Sequence, residues 1–262
     1  MTRIISSAVL IAFTVAGVWY APPPLFFGVA VLLTIIASHE LIDLARAGGL
    51  DVPRFLSRLA ATLTMAVAAV PGPPWALMVT LMAAFIAMGF VMLGSWRGEP
   101  NALATVSASI LPSIYIGLPV AAIVAIRVNG GPAVLFLLVF TIMVSDTAQY
   151  YSGRTFGSRP LASALSPKKT VEGAVGGFVF GVLALAVAGH WWLPGVPFAV
   201  RALLGLGIVA LGIAGDLFES MLKRSAGVKD SSSLIPGHGG ILDRVDALLF
   251  AAPVYYIVLK YV

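Results

Sequence analysis

The chain has 262 residues, of which 60% are hydrophobic and only 10% charged, whereas a soluble domain carries about 25% charged residues; this composition excludes an ordinary soluble fold and describes an integral membrane protein. Cysteine is absent, which excludes disulfides, thiolate metal sites and cysteine nucleophiles. The net charge of +5 points to positively charged membrane loops and not to nucleic acid, because excess Lys and Arg in such a chain mark cytoplasmic segments.

Apolar stretches of about 17–25 residues, each long enough to cross roughly 30 Å of hydrocarbon as a helix, recur between breaks at proline, glycine and charge. In chain order the predicted spans are 4–20, 24–44, 57–71, 74–94, 102–126, 133–152, 171–191, 198–218 and 241–261. The first opens on Met-Thr-Arg, like a signal peptide, but no small-x-small cleavage site precedes Pro22, so a retained helix is expected. The third is short, and the fifth carries Pro112 and Pro119. The expectation is an all-α polytopic membrane protein of about nine transmembrane helices, forming one membrane-embedded domain over 1–262. Roughly 1–130 supplies N-terminal spans, and roughly 133–262 a half with two polar loops, 153–170 and 219–240.

Nine spans place all but Arg127, Arg201 and Lys260 of the sixteen basic residues on one side. The positive-inside rule makes that side cytoplasmic, with the N-terminus inside and the C-terminus outside. Both polar loops then face the cytoplasm, and a bacterial inner membrane is the default location. Small residues in "GAVGGFVFG" (173–181) suit either a homodimer or packing within the chain. No internal repeat is visible, which weighs against an ion-coupled transporter, the reading from another class.

The acidic residues carry the most information. Of eleven, Asp51, Glu99 and Asp230 fall in loops, while Glu40, Asp43, Asp146, Glu172, Asp216, Glu219, Asp243 and Asp246 lie in or at the ends of apolar spans. An ionised carboxylate at mid-membrane costs about 2.5–3.5 kcal/mol, so such groups pair with cations, face a cavity or bind metal. Asp216 with Glu219 and Asp243 with Asp246 are spaced i, i+3, each pair on one helix face. Two such pairs, with Asp146 from a third helix, can chelate a hard cation such as Mg²⁺. The alternative is that these acids pair with Lys223, Arg224 and Arg244 and only hold helices together.

Between the carboxylate pairs lie anion binders. Lys223, Arg224 and Lys229 are cations, and Gly237, Gly239 and Gly240 allow backbone N–H groups to approach a ligand just before a helix N-terminus. His238 reads equally as a phosphate donor, a base or a turn residue. The other loop repeats the theme with Arg154, Arg159, Lys168 and Lys169, and Thr170 or a neighbour caps the next helix. On its own that loop would be an ordinary lipid-facing basic segment. Carboxylates, cations and glycine amides on one membrane face together suggest phosphoryl or nucleotidyl transfer to or from a lipid, chemistry that needs charge neutralisation more than covalent catalysis.

These residues resemble the phosphatidate cytidylyltransferases, also called CDP-diacylglycerol synthases. Ser220, Lys223, Arg224, Lys229, Asp230, Pro236, His238, Gly239, Gly240, Asp243, Arg244 and Asp246 match that family's signature at its spacing. Upstream, "SDTAQYYSGRTFG" and "SPKKTVEGAVGG" are similar too, through Asp146, Arg154, Ser166, Lys168, Lys169 and Glu172 among others; Val171 stands where the familiar sequence has an aromatic residue. The likeness is strong over roughly 140–250, and the first 100 residues match only as hydrophobic spans.

The resemblance implies that CTP and phosphatidic acid give CDP-diacylglycerol and pyrophosphate at the cytoplasmic face. It implies Mg²⁺ or another divalent cation, with a second, monovalent ion left open. Asp216, Asp243 and Asp246 would be the metal ligands, supported by Asp146 or Glu219. Lys168, Lys169, Lys223, Arg224 and Lys229 would neutralise phosphates, and Arg244 would orient a carboxylate or the leaving group. Arg154, Ser166, Ser220, His238, Gly239 and Gly240 would line the substrates. Partners would be these substrates and membrane lipids, and no nucleic acid; the rival within the superfamily is a CTP-dependent transferase acting on an ether lipid or polyprenol.

Overall fold

A computed structural model describes residues 2–98, 101–235 and 239–261. Its helices are α1 (Thr2–Tyr20), α2 (Pro23–Ala47), α3 (Arg54–Ala69), α4 (Trp75–Ser95), α5 (Ala102–Pro112), α6 (Leu118–Ala125), α7 (Pro132–Phe156), α8 (Val171–Trp192), α9 (Phe198–Ser225) and α10 (Leu242–Leu259). The expected spans thus coincide with helices to within about four residues, except that α9 runs seven residues past its expected end. Among the described residues, six helical stretches are long and apolar enough to cross a membrane: Pro23–Ala47, Trp75–Ser95, Ala102–Gly130, Pro132–Phe156, Val171–Trp192 and Phe198–Ser225. At 16 residues α3 is short, and α10 carries Asp243, Arg244 and Asp246 within 18 residues.

The proline-bearing fifth span is helical as expected, and two features of the polar segments depart from the sequence expectation. The stretch Ala102–Gly130 stays helical through Pro112 and Pro119 because a π-helical turn, Ser113–Gly117, sits between them; the wider turn absorbs the missing proline N–H groups. The polar segment 153–170 is not all loop: α7 runs on to Phe156, and strands β1 (Pro160–Ala162) and β2 (Ser166–Thr170) form an antiparallel hairpin. The other polar loop begins later than expected, since α9 continues to Ser225 with Lys223 and Arg224 in its last turn, where cations complement the helix dipole.

The chain folds as two compact units interleaved in sequence. One comprises 1–10, 22–125 and 222–244; the other comprises 11–21, 126–221 and 245–262. In the first, α3 packs on α2, α4 and α6, and Gly117 lies so close to the Ala61 carbonyl that a Cβ there would sit 2.7 Å from its oxygen.

In the second unit three glycines of α8 are filled by α7: Gly173 faces the Gln149 carbonyl, Gly176 the Ser152 side chain, and Gly177 the Gln149 side chain. The stripe that the sequence offered to a homodimer is therefore used within the chain, as small residues allow helices to approach closely. Gly205 packs on Val182 and Leu185, and Gly215 on the backbone of Asp246 and Ala247, which ties α9 to α8 and α10.

Candidate active site

The charged segments form a set of named contacts within each unit. In the second unit, β2 delivers Lys169 to Asp216 on α9, and the ammonium donates to the carboxylate. Successive residues of a strand point to opposite faces, so Lys168 is exposed while Lys169 is turned inward. Ser220, one turn along α9, donates to Asp216 at 3.5 Å. Asp146 on α7 lies within electrostatic reach of both Asp216 and Lys169, and Gln149 Nε2 donates to it at 3.0 Å.

The hairpin that carries Lys169 is held at its root. Glu172, in the first turn of α8, accepts from the Ser158 and Arg159 amides at 3.1 and 3.2 Å and from the Ser158 hydroxyl and Arg159 Nε, each at 3.0 Å. Thr170 caps α8, its Oγ1 accepting from the Gly173 amide at 3.1 Å, as the sequence led us to expect. Arg154 is exposed in the last turn of α7, and Ser166 opens β2 opposite Ala162. Glu219 is fully buried.

In the first unit, Lys223 donates to Asp243 Oδ1, and both side chains are nearly buried. Asp243 Oδ2 accepts from the Ser231 amide at 2.9 Å, the Ser231 hydroxyl at 2.7 Å and the Gly240 amide at 2.8 Å. Both oxygens of Asp243 are thus engaged by protein donors. Arg224, Lys229 and Arg244 are exposed, with Arg224 donating to the Val228 carbonyl at 2.9 Å. Gly239 adopts φ +75°, a left-handed conformation that glycine takes without cost. His238, with Pro236 and Gly237, lies outside the described residues.

Glu40, which the sequence marked only as an acid in an apolar span, proves to be the anchor of this loop. Its Oε1 accepts from Ser232 Oγ at 2.6 Å and the Ile241 amide at 3.0 Å; its Oε2 accepts from Ser231 Oγ at 3.1 Å and the Leu242 amide at 2.7 Å. A carboxylate at the start of α10 satisfies amides that no helix carbonyl can reach and complements the dipole. The amides of Gly240, Ile241 and Leu242, which the sequence offered to a phosphate, are here taken by Asp243 and Glu40. Gly240 is required by proximity, because a Cβ there would overlap the Ser231 hydroxyl and the Glu40 carboxylate.

Among the described residues, no three His, Asp or Glu side chains gather closely enough to hold a metal ion. The oxygen donors present nevertheless suit a hard divalent cation that keeps waters and substrate phosphates. Asp146 and Asp216 are two carboxylates within reach of each other's charge, with the Lys169 ammonium beside them.

A family model described as the cytidylyltransferase family matches residues 1–262. The chain is 31% identical over 249 residues to a phosphatidate cytidylyltransferase of Mycobacterium bovis, covering 90% of this chain and 81% of that one. It is 42% identical over 127 residues to a protein of the same name from Aquifex aeolicus, covering 48% and 46% of the two chains, and 50% identical over 130 residues to one from Synechocystis, covering 49% and 44%. The matched stretch is thus about half the length of the Aquifex and Synechocystis relatives. The chain belongs to the cytidylyltransferase family.

Proposed function

We propose that this protein transfers the cytidylyl group of CTP to phosphatidic acid, giving CDP-diacylglycerol and pyrophosphate in phospholipid biosynthesis. The observation that carries the reading is a pair of lysine–aspartate contacts, Lys169 with Asp216 and Lys223 with Asp243, in the two charged segments. Each contact holds a cation that a triphosphate can attract and an anion that a divalent metal can attract. Membership of the family and likeness to relatives named phosphatidate cytidylyltransferase support the nucleotide and the lipid acceptor; membership also sets the transporter reading aside. An ether-lipid or polyprenol acceptor has no specific observation in its favour.

In this mechanism a phosphate oxygen of phosphatidic acid attacks the α-phosphorus of CTP, the bond from that phosphorus to the β-phosphate bridging oxygen breaks, and pyrophosphate leaves with the electron pair. A phosphate monoester is already largely ionised at neutral pH, so the chain supplies no strong general base. Lys169 and Lys223 move from their carboxylates to phosphate oxygens, and Lys168, Arg224 and Lys229, all exposed, add positive charge around the nucleotide. Asp216, Asp243 and Asp246 would hold Mg²⁺, with Asp146 or Glu219 in support. Bound to those carboxylates, the metal would neutralise charge on the phosphates.

Nine spans, an N-terminus inside, a C-terminus outside and an active site at the cytoplasmic face of a bacterial inner membrane complete the proposal, supported by the charge asymmetry of the loops. The test is conversion of radiolabelled CTP to a lipid-soluble product by the purified protein with phosphatidic acid, with and without Mg²⁺, beside Asp216→Asn. Metal-dependent product that disappears in the variant is expected. Failure to label any phosphorylated lipid offered would overturn the reading.

A further inference from the structure

At the other end of α9 from the site residues, Arg201 is in an unusual position. It lies in the first turns of a 28-residue helix, and Asp216 is fifteen residues further on, about 22 Å along the axis at 1.5 Å per residue. Arg201 is only 7% exposed, and its Nε has no hydrogen-bond partner. None of the ion pairs among the described residues includes it. Its stem runs over α8 at Gly189, where a Cβ would stand 2.8 Å from Arg201 Cδ. The guanidinium stands 6.0 Å from the centroid of the Phe198 ring, at the outer limit of a cation–π contact.

The other two basic residues assigned by sequence to this side are satisfied differently. Arg127 donates to the Val18 and Ala21 carbonyls at 2.7 and 3.3 Å, and Lys260 stands 4.7 Å over the Tyr256 ring. A buried guanidinium at a helix N-terminus also adds its charge to the positive end of the dipole and to first-turn amides without intrahelical acceptors. Such a place is stabilised by an anion, and arginine matches phosphate oxygens with its fork of donors.

We propose that Arg201 and the N-terminal turn of α9 bind the phosphodiester headgroup of an anionic phospholipid. A lipid source is favoured by the setting: α9 is apolar and long enough to span a membrane, so its end lies at headgroup depth. Trp191 and Phe198, 68% and 57% exposed, supply the aromatic side chains that sit at that level. The bound lipid belongs to this end of α9 and is distinct from the lipid that reacts near Asp216.

The test is native mass spectrometry of the full-length protein titrated with phosphatidylglycerol or phosphatidylcholine, for the wild type and Arg201→Gln. Preferential retention of phosphatidylglycerol, about tenfold weaker in the variant for the loss of one charge-assisted contact, is expected. Equal retention by both proteins would overturn the proposal. Should the variant not fold, hydrogen exchange of the wild type in phosphatidylcholine nanodiscs decides: adding phosphatidylglycerol slows exchange of the amides of 198–201, and unchanged exchange there refutes the site. Inorganic phosphate provides the last arm. If it displaces the retained phosphatidylglycerol at equal concentration, the pocket is one for a free anion and the lipid assignment falls.

Discussion

Replacing Glu40 by alanine removes one side chain and four hydrogen bonds, to Ser231, Ser232, Ile241 and Leu242. The cost is not four times a standard value, because the donors differ in what remains to them. Ser231 Oγ keeps Asp243 at 2.7 Å, and Ser232 and the Ile241 amide are only partly buried and can turn to water. Leu242 is completely buried, so its amide loses its only acceptor, at a cost of about 1–3 kcal/mol. With roughly 0.5 kcal/mol for each donor that exchanges to water, the total is about 2–4 kcal/mol. This is a local loss, confined to the loop and the first turn of α10, and amide hydrogen exchange reports it directly. Exchange of the Gly240–Leu242 amides is expected to accelerate roughly 30- to 900-fold, at 1.36 kcal/mol per decade. Glu40→Gln should resemble alanine, since its amide nitrogen would turn donors toward donors. The reasoning is refuted if both variants exchange at the wild-type rate within about twofold, the spread of a few tenths of a kcal/mol.

Asp216→Asn and Lys169→Ala are each expected to lower kcat/KM about 100-fold or more while folding is retained. The double variant should lose much less than the product of the two, as a cycle of radiolabelled-CTP assays would show. Chelation with EDTA should abolish labelling of the lipid product and added Mg²⁺ should restore it, whereas unchanged activity in EDTA would exclude the metal. Gly240→Ala should lower the thermal midpoint in detergent, because its Cβ overlaps the Ser231 hydroxyl and the Glu40 carboxylate. Glu172→Gln should speed proteolysis of the 158–170 hairpin and raise KM for CTP more than it lowers kcat, because it loosens the mount of Lys169 without removing it.

Helix positions were legible because an apolar run between prolines and charges has few alternatives in a membrane, and α2, α4 and α8 lie within about three residues of expectation. The end of α9 was not, since Ser220, Lys223 and Arg224 read as a polar loop while their helix continues to Ser225. Composition marks which residues dislike hydrocarbon and says little about whether the backbone stays helical around them. The hairpin at 160–170 was hidden for the opposite reason: strands of three and five residues are too short to show a period of two. Site chemistry was legible as residue types at fixed spacing. The partner of each acid was not, and Glu40 shows why, because its four donors lie 191 to 202 residues away in sequence. No local pattern on α2 points to them.

The acids divide by the kind of partner each has found, and that division separates scaffold from chemistry. Glu40 and Glu172 both accept from backbone amides, groups that cannot leave without unfolding the segment that carries them. Asp216 accepts from Lys169, whose ammonium sits at the end of four rotatable bonds and is as well satisfied by a phosphate as by a carboxylate. Asp243 has one partner of each kind, Lys223 on Oδ1 and fixed donors on Oδ2. On the proposed mechanism the lysine contacts are the ones exchanged for ligand, and the charge that makes this region costly in an apolar chain would be balanced at rest by the same groups that bind substrate. Loss of Asp216 should therefore be felt in rate with little change in stability, and loss of Glu40 in stability first. Loss of Asp243 should be felt in both.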